Sequence, residues 1–225
     1  KTVDKLIEDT EKPGISFTTK FDKAFSATPE ISGKVTDNQG VSSVEYSIDG
    51  GANYLPVDEI SNPRAKITNF QFSILNLLDG NYKLRVRATD LTGNTETSSE
   101  KILVFDRLAP RVGGVIFTLG SQVTEPDENG LITTIAGLQE KVTLSAVGGP
   151  TEIKIITNFK CQISNVKCEE GDGVQGESFD MSKNPDTGLW SGNVSFPEAG
   201  IYKLTAKSVD GAGNETESDL SEVKV

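Results

Sequence analysis

The sequence predicts an all-β chain of two tandem antiparallel β-sandwiches, and three observations carry that prediction. The phrase Gly80-Asn81-Tyr82-Lys83-Leu84, followed by Asp90, Gly93 and Asn94, returns as Gly200-Ile201-Tyr202-Lys203-Leu204 with Asp210, Gly213 and Asn214, each 120 positions later. An opening phrase also repeats: Asp9-Thr10-Glu11-Lys12-Pro13 and Asp106-Arg107-Leu108-Ala109-Pro110 stand 97 positions apart. Two markers in the same order mean two copies of one module, the second longer by 23 residues. Finally, short runs of alternating apolar and polar residues recur about every ten residues, and no stretch keeps a helical period.

In the first module Pro13 opens a strand in which Ile15 and Phe17 alternate. Ile31, Gly33 and Val35 alternate in the next, which ends at the turn Asp37-Asn38-Gln39-Gly40. Val44, Tyr46 and Ile48 form a third strand, closed by the turn signal Asp49-Gly50-Gly51. Tyr54, Leu55 and Val57 predict a short edge strand, and Phe70, Phe72 and Ile74 share one face of the strand after it. Tyr82, Leu84, Val86 and Ala88 make the most regular strand, and Thr92-Gly93-Asn94 turns it into a last one where Ile102 and Val104 alternate. Seven short strands of this kind are the pattern of an antiparallel sandwich.

The second module repeats the plan. Val115 and Phe117 open it, Val142, Leu144 and Ala146 stand where Ile31, Gly33 and Val35 stood, and Ile153 and Ile155 follow. Trp190, Val194 and Phe196 come next, then Tyr202, Leu204 and Ala206, then Val223 and Val225. Residues 1–9 read as a lead-in or the end of a preceding module, 10–106 as module 1 and 107–225 as module 2, with insertions near 120–137 and 159–182. The linker Asp106 to Pro110 is short, and Pro110 stiffens φ and keeps Ala109 extended, so a semi-rigid junction is expected.

Thirty-three acidic residues against 22 basic ones give a net charge of −11, a surface that repels phosphate backbones and excludes nucleic acid as a natural partner. No apolar run reaches the length of a membrane span, so no membrane insertion is expected in this segment. There is no histidine, which removes His-based triads and the usual zinc sites. The acidic residues crowd turns, where solvation and capping account for them, and the chain is expected not to be an enzyme. Cys161 and Cys168 lie close together and predict a local disulfide, formed in an oxidising compartment.

The chain resembles the bacterial immunoglobulin-like repeats of large cell-surface and secreted proteins. The resemblance rests on VSSVEYSIDGGANY in the first module, on DGNYKLRVRATDLTGN set against AGIYKLTAKSVDGAGN, and on the Asp-x-x-x-Pro opener. It covers nearly the whole chain, although the second module has no Tyr-Ser-x-Asp-Gly-Gly phrase. It implies two immunoglobulin-like sandwiches and a structural or adhesive role. The expected function is therefore a rigid spacer or adhesive stalk segment of a larger surface protein, extracellular or at the cell surface. Neighbouring modules are the expected partners, with a host or cell-surface protein or a glycan beyond them. A carbohydrate-binding accessory module of a secreted enzyme, or a subunit of a surface layer or fibre, stays open as the alternative.

Tyr82 and Tyr202 fit corner tyrosines, each burying its ring while the hydroxyl bonds nearby backbone. Asp90 and Asp210 fit turn residues whose carboxylates accept backbone donors, with Gly and Asn supplying positive φ. No cofactor is required by any motif, and Ca²⁺ is the one metal that the carboxylates suit, since it takes six to eight oxygen ligands. Two clusters are expected candidates. One joins Asp106 at the module junction to Asp37 and Asn38; the other joins Asp127 to Glu169, Glu170 and Asp172.

Overall fold

The computed structural model describes residues 9–57, 60–62, 64–119, 122–125, 127–128, 131–161 and 174–225. Its described residues hold strands and turns and no helix. The chain divides between Arg107 and Leu108 into two compact units.

Unit 1 contains β1 (Gly14–Phe17), β2 (Glu30–Thr36), β3 (Val41–Ser47), β4 (Leu55–Pro56), β5 (Ile60–Ser61), β6 (Ile67–Ser73), β7 (Gly80–Asp90), β8 (Thr95–Thr97) and β9 (Lys101–Phe105). One sheet runs β1-β2-β6-β5, and the facing sheet runs β4-β3-β7-β8, with β9 also paired to β7. Every named pair in this unit is antiparallel.

Unit 2 contains β10 (Arg111–Leu119), β11 (Gln122–Thr124), β12 (Leu131–Thr133), β13 (Gln139–Val147), β14 (Pro150–Cys161), β15 (Val174–Asp180), β16 (Ser182–Lys183), β17 (Trp190–Ser195), β18 (Ile201–Asp210) and β19 (Glu215–Lys224). Its sheets run β11-β10-β13-β17-β16 and β15-β14-β18-β19-β12. The plan is that of unit 1: β10, β13 and β17 repeat β1, β2 and β6, while β14, β18 and β19 repeat β3, β7 and the pair β8 and β9. Tyr82 and Tyr202 thus lie on corresponding strands.

Both units split their first strand between the two sheets. In unit 1, β1 pairs with β2, and Phe25 then forms a parallel bridge to Phe105 on the other sheet. In unit 2, β10 pairs with β13, and β12 then runs parallel to β19. The insertion near 120–137 therefore supplies a real edge strand. Covering one edge of each sheet in this way protects ladder groups that would otherwise recruit another chain.

The cores follow the alternation of the sequence. Ile31, Val35, Val44, Phe70, Leu84, Val86 and Leu103 are buried in unit 1, and Val142, Leu144, Ile153, Ile155, Trp190, Leu204 and Val223 in unit 2. Gly33 lies among the buried residues of β2, opposite Phe70, as Leu144 lies opposite Trp190. A Cβ there would sit 2.4 Å from Phe70 Cζ and 2.4 Å from the Ser16 carbonyl. The Phe70 ring thus fills the space that the Leu144 side chain fills in unit 2.

At the other end of β7 and β18 sit the corner tyrosines. The Tyr82 hydroxyl donates to the Leu78 carbonyl at 2.8 Å. The Tyr202 hydroxyl donates to the Glu198 carbonyl at 3.1 Å and accepts the Glu198 amide at 3.2 Å. The Tyr202 ring is buried edge-on between Phe159 and Phe196, each 5.1 Å away, whereas Tyr82 is half-buried.

One expectation is overturned on β9. Ile102 and Val104 alternate as expected, but the residues that face the core are Leu103 and Phe105, with Ile102 half exposed. The register on β7 decides this, since Leu103 stands opposite Tyr82 and Phe105 opposite Gly80. In a strand apolar on both faces, periodicity alone does not choose the side. The disulfide expected between Cys161 and Cys168 lies outside the described residues, apart from the backbone of Cys161 at the end of β14.

Gly33→Ala is expected to destabilise unit 1 by about 1–3 kcal/mol, because a methyl group there overpacks the contact with Phe70. Urea unfolding of the variant checks this, as a fall in midpoint at unchanged slope.

Candidate metal centre at one pole of unit 1

The chain enters unit 1 at one end of the sandwich, and three turn-forming segments meet there. Asp90 ends β7 and organises the turn into β8. Its Oδ1 accepts the amides of Thr92 and Asn94, both at 2.8 Å, and its Oδ2 accepts Asn94 Nδ2 at 2.8 Å. The Asp90 amide in turn donates to the Asn94 carbonyl at 3.0 Å. Gly93 provides the positive φ, 97°, that this turn needs.

Unit 2 builds the same turn. Asp210 Oδ1 accepts the amides of Ala212 at 2.8 Å and Asn214 at 2.9 Å, Oδ2 accepts Asn214 Nδ2 at 2.9 Å, and Gly213 has φ 85°. The Asp-x-x-Gly-Asn phrase is thus a structural device, repeated with its hydrogen bonds. For Asp90, burial works against ionisation, but the hydrogen bonds from Asn94 and Thr92 outweigh it and hold the carboxyl below its ordinary value.

Unit 1 adds two carboxylates to this turn. Asp37 caps the turn between β2 and β3, its Oδ1 accepting the amides of Gln39 and Gly40, both at 2.8 Å. Asp9, at the start of the described chain, accepts Asn38 Nδ2 at 3.1 Å and the Thr92 hydroxyl at 3.3 Å. Asn94 Nδ2 also donates to the Asp9 carbonyl at 3.1 Å. Asp9, Asp37 and Asp90 each offer a carboxylate oxygen, all within 4.8 Å of one another. At that separation like charges repel by roughly 3 kcal/mol per pair at an effective dielectric of about 20. Among the described residues no ion pair reaches any of the three.

Two oxygens at this cluster are buried without a partner. One is Oδ2 of Asp37, a residue only 8% exposed; the other is Oδ1 of the adjacent Asn38. Such groups are rare, because an unmet buried acceptor loses its hydration with nothing in return.

Of the expected metal residues, Asp37 and Asn38 are brought together, but not with Asp106. Asp106 follows β9, which pairs with the Gly80 end of β7, whereas Asp37 lies near the Asp90 end. The 11 residues of β7 separate the two poles by on the order of 30 Å. The aspartate that joins Asp37 is Asp9, the counterpart of Asp106 in the opening phrase. Asp9 and Asp90, which stand out in the sequence as repeat markers, belong to neither expected cluster. Counting the antiparallel strands would have found them, since the turns after β2 and β7 must fall at the same pole.

In the second expected cluster, Asp127 Oδ1 accepts the Leu131 amide at 2.9 Å. Glu169, Glu170 and Asp172 lie outside the described residues. Elsewhere in unit 2, a hollow of about 310 Å³ is lined by Thr157, Phe159, Glu177, Pro197, Glu198 and Tyr202.

No protein-family model matches the chain, and no curated protein sequence matches it. Solved structures of similar fold are found. The fibronectin(III)-like modules of Clostridium thermocellum CbhA are 14% identical, with 94% of each chain covered and a TM-score of 0.47. A 1.5-MDa bacterial ice-binding adhesin, in a structure concerned with host cell surface retention, is 17% identical over 95% of this chain and 65% of that one, at a TM-score of 0.44. A tetra-tandem repeat from the extending region of a large adhesion protein is 13% identical over 93% of this chain and 48% of that one, at 0.33. The chain thus spans only part of the two adhesin structures.

Because the Asp90 carboxyl is held below its ordinary value, its contribution to stability is full above that value and is lost as the pH falls through the folded one. Thermal melts of the chain and of Asp90→Asn between pH 7 and pH 3 check this. The chain should lose stability below about pH 4, and the variant should start lower and fall less over that range.

Proposed function

We propose that this chain is a non-catalytic two-module segment of a larger extracellular bacterial surface protein, where it acts as a spacer or adhesive stalk. The observation that carries this reading is the duplication of one scaffold down to its hydrogen bonds. In both units the distinctive residues are spent on holding the sandwich: a tyrosine at one corner and a carboxylate-capped turn at the other end of the same strand. Such a unit is useful repeated, since each copy adds length and brings its own core.

Several features support the absence of catalysis. The chain has no histidine, and the carboxylates at the pole of unit 1 cap turns. The net charge of −11 keeps nucleic acid away. The accessory-module reading needs an exposed row of aromatic rings for sugar, and every aromatic side chain is buried or half-buried. Tyr54 is half-buried and covered by the Arg87 guanidinium at 3.9 Å, and Tyr46 stacks on Phe72 at 4.2 Å. Trp190, the single tryptophan, is core. Neighbouring modules of the same protein are the partners this reading requires.

The spacer role also draws on the linker. Between Phe105, the last residue of β9, and Arg111, the first of β10, lie five residues that include Pro110. Small-angle X-ray scattering of the chain tests the role. The expected result is an elongated particle with one dominant angle between modules. A broad distribution of angles, or a compact side-by-side pair, would overturn the spacer.

A further inference from the structure

We propose that the pole of unit 1 where Asp9, Asp37 and Asp90 meet binds one Ca²⁺ ion, with Asn38 as a fourth ligand, and that unit 2 has no counterpart of this site. Three carboxylates within 4.8 Å of one another, unpaired with any cation among the described residues, call for positive charge. The buried, partnerless Asp37 Oδ2 and Asn38 Oδ1 show that the two residues keep an acceptor each in reserve. Both stand at a turn whose own needs are already met by Asp37 Oδ1.

The donor set selects the ion. All ligands are oxygens, with neither imidazole nor thiolate, which suits a hard cation. Three carboxylates and an amide carbonyl give more protein oxygens than Mg²⁺ normally uses, since Mg²⁺ keeps most of its waters and takes one or two carboxylates. Ca²⁺ accepts six to eight oxygens in flexible geometry, so solvent completes the shell. Asp90 comes preset: its carboxylate accepts three hydrogen bonds out of about four lone-pair positions, which fixes its direction and leaves room for one further contact.

Unit 2 supplies the comparison within the same chain. Thr36 pairs with Gly14 as Val147 pairs with Arg111, so the residues after the second strand correspond. Where unit 1 has Asp37-Asn38, unit 2 has Gly148-Gly149. The capped turn of Asp210 persists with Gly148-Gly149 in place of Asp37-Asn38. The capped aspartate therefore needs neither residue to make its turn, and in unit 1 Asp37 and Asn38, together with Asp9, convert that turn into a cation site. The ligands come from three separated segments, so the ion ties the lead-in at Asp9 to both turns of the module. This proposal does not depend on the spacer role.

Isothermal titration calorimetry on the whole chain, after chelator treatment and dialysis, tests it with CaCl₂ and MgCl₂ as probes. The expected result is one Ca²⁺ per chain, with Mg²⁺ at least about tenfold weaker. Asp9→Asn and Asp37→Asn should each weaken Ca²⁺ by about tenfold or more, since affinity follows the ligand charge count. Asn keeps an oxygen for the amides that Asp37 Oδ1 accepts, so the turn survives, and Asp9 lies outside the core. Hydrogen exchange gives a second reading: Ca²⁺ should slow the amides of Thr10, Gln39 and Thr92 while leaving Ala212 and Asn214 unchanged. No binding at millimolar Ca²⁺, unaltered affinity in both variants, two ions per chain, or equal affinity for Mg²⁺ would each overturn the proposal.

Discussion

Each unit depends on one long strand pinned at both ends. Tyr82 and Asp90 lie on β7, and Tyr202 and Asp210 on β18, with the same spacing. The tyrosine hydroxyl takes a backbone group four residues back, which fixes how the chain arrives in the strand. The aspartate takes two amides of the following turn, which fixes how the chain leaves for the next strand. Between the pins, every second residue faces the core: Leu84, Val86 and Ala88 in unit 1, Leu204 and Ala206 in unit 2. A hydrogen bond of this kind is worth about 1 kcal/mol net, but leaving a desolvated donor unmet costs more. The pins therefore matter chiefly by excluding other registers and turns.

From that strand the remaining pairings follow. β3 and β14 lie on one side of it, and β8, β9 and β19 on the other. The facing sheet contributes Ile31, Val35 and Phe70, or Val142, Leu144 and Trp190, to the shared core. The first strand crosses from one sheet to the other and covers an edge of each. The two units differ where the core allows exchange, as at Gly33 beneath Phe70 and Leu144 against Trp190. They differ again at the pole where Asp37-Asn38 faces Asp9, against Gly148-Gly149.

Much of this was legible in the residues. The 120-position register marked the pinned strand in both halves, because its tyrosine, aspartate, glycine and asparagine are each required by geometry. Alternation located Ile31, Gly33, Val35, Val142 and Leu144 on core strands. It failed on β9, where Leu103 and Phe105 face inward, because Ile102 and Val104 are equally apolar and only cross-strand register separates the faces. The short pieces β5 and β16 carry too few residues to give a pattern. The charge cluster was half legible. The turn at Asp37-Asn38 stands out in the sequence, but Asp106, expected beside it, lies at the opposite pole, and Asp9 and Asp90 stand there instead. What the sequence shows only indirectly is which turns share a pole, and that follows from antiparallel order and not from residue type.

The most direct measurement of this account is native-state hydrogen exchange at four amides, those of Thr92 and Asn94 in unit 1 and Ala212 and Asn214 in unit 2. All four donate to an aspartate Oδ1 at 2.8 or 2.9 Å. If the capped turn pins both sandwiches, all four should exchange slowly although they lie in turns. Asp90→Ala should then release only the first pair, and Asp210→Ala only the second. Fast exchange at these amides in the unaltered protein, or protection that survives removal of the aspartate, would contradict it.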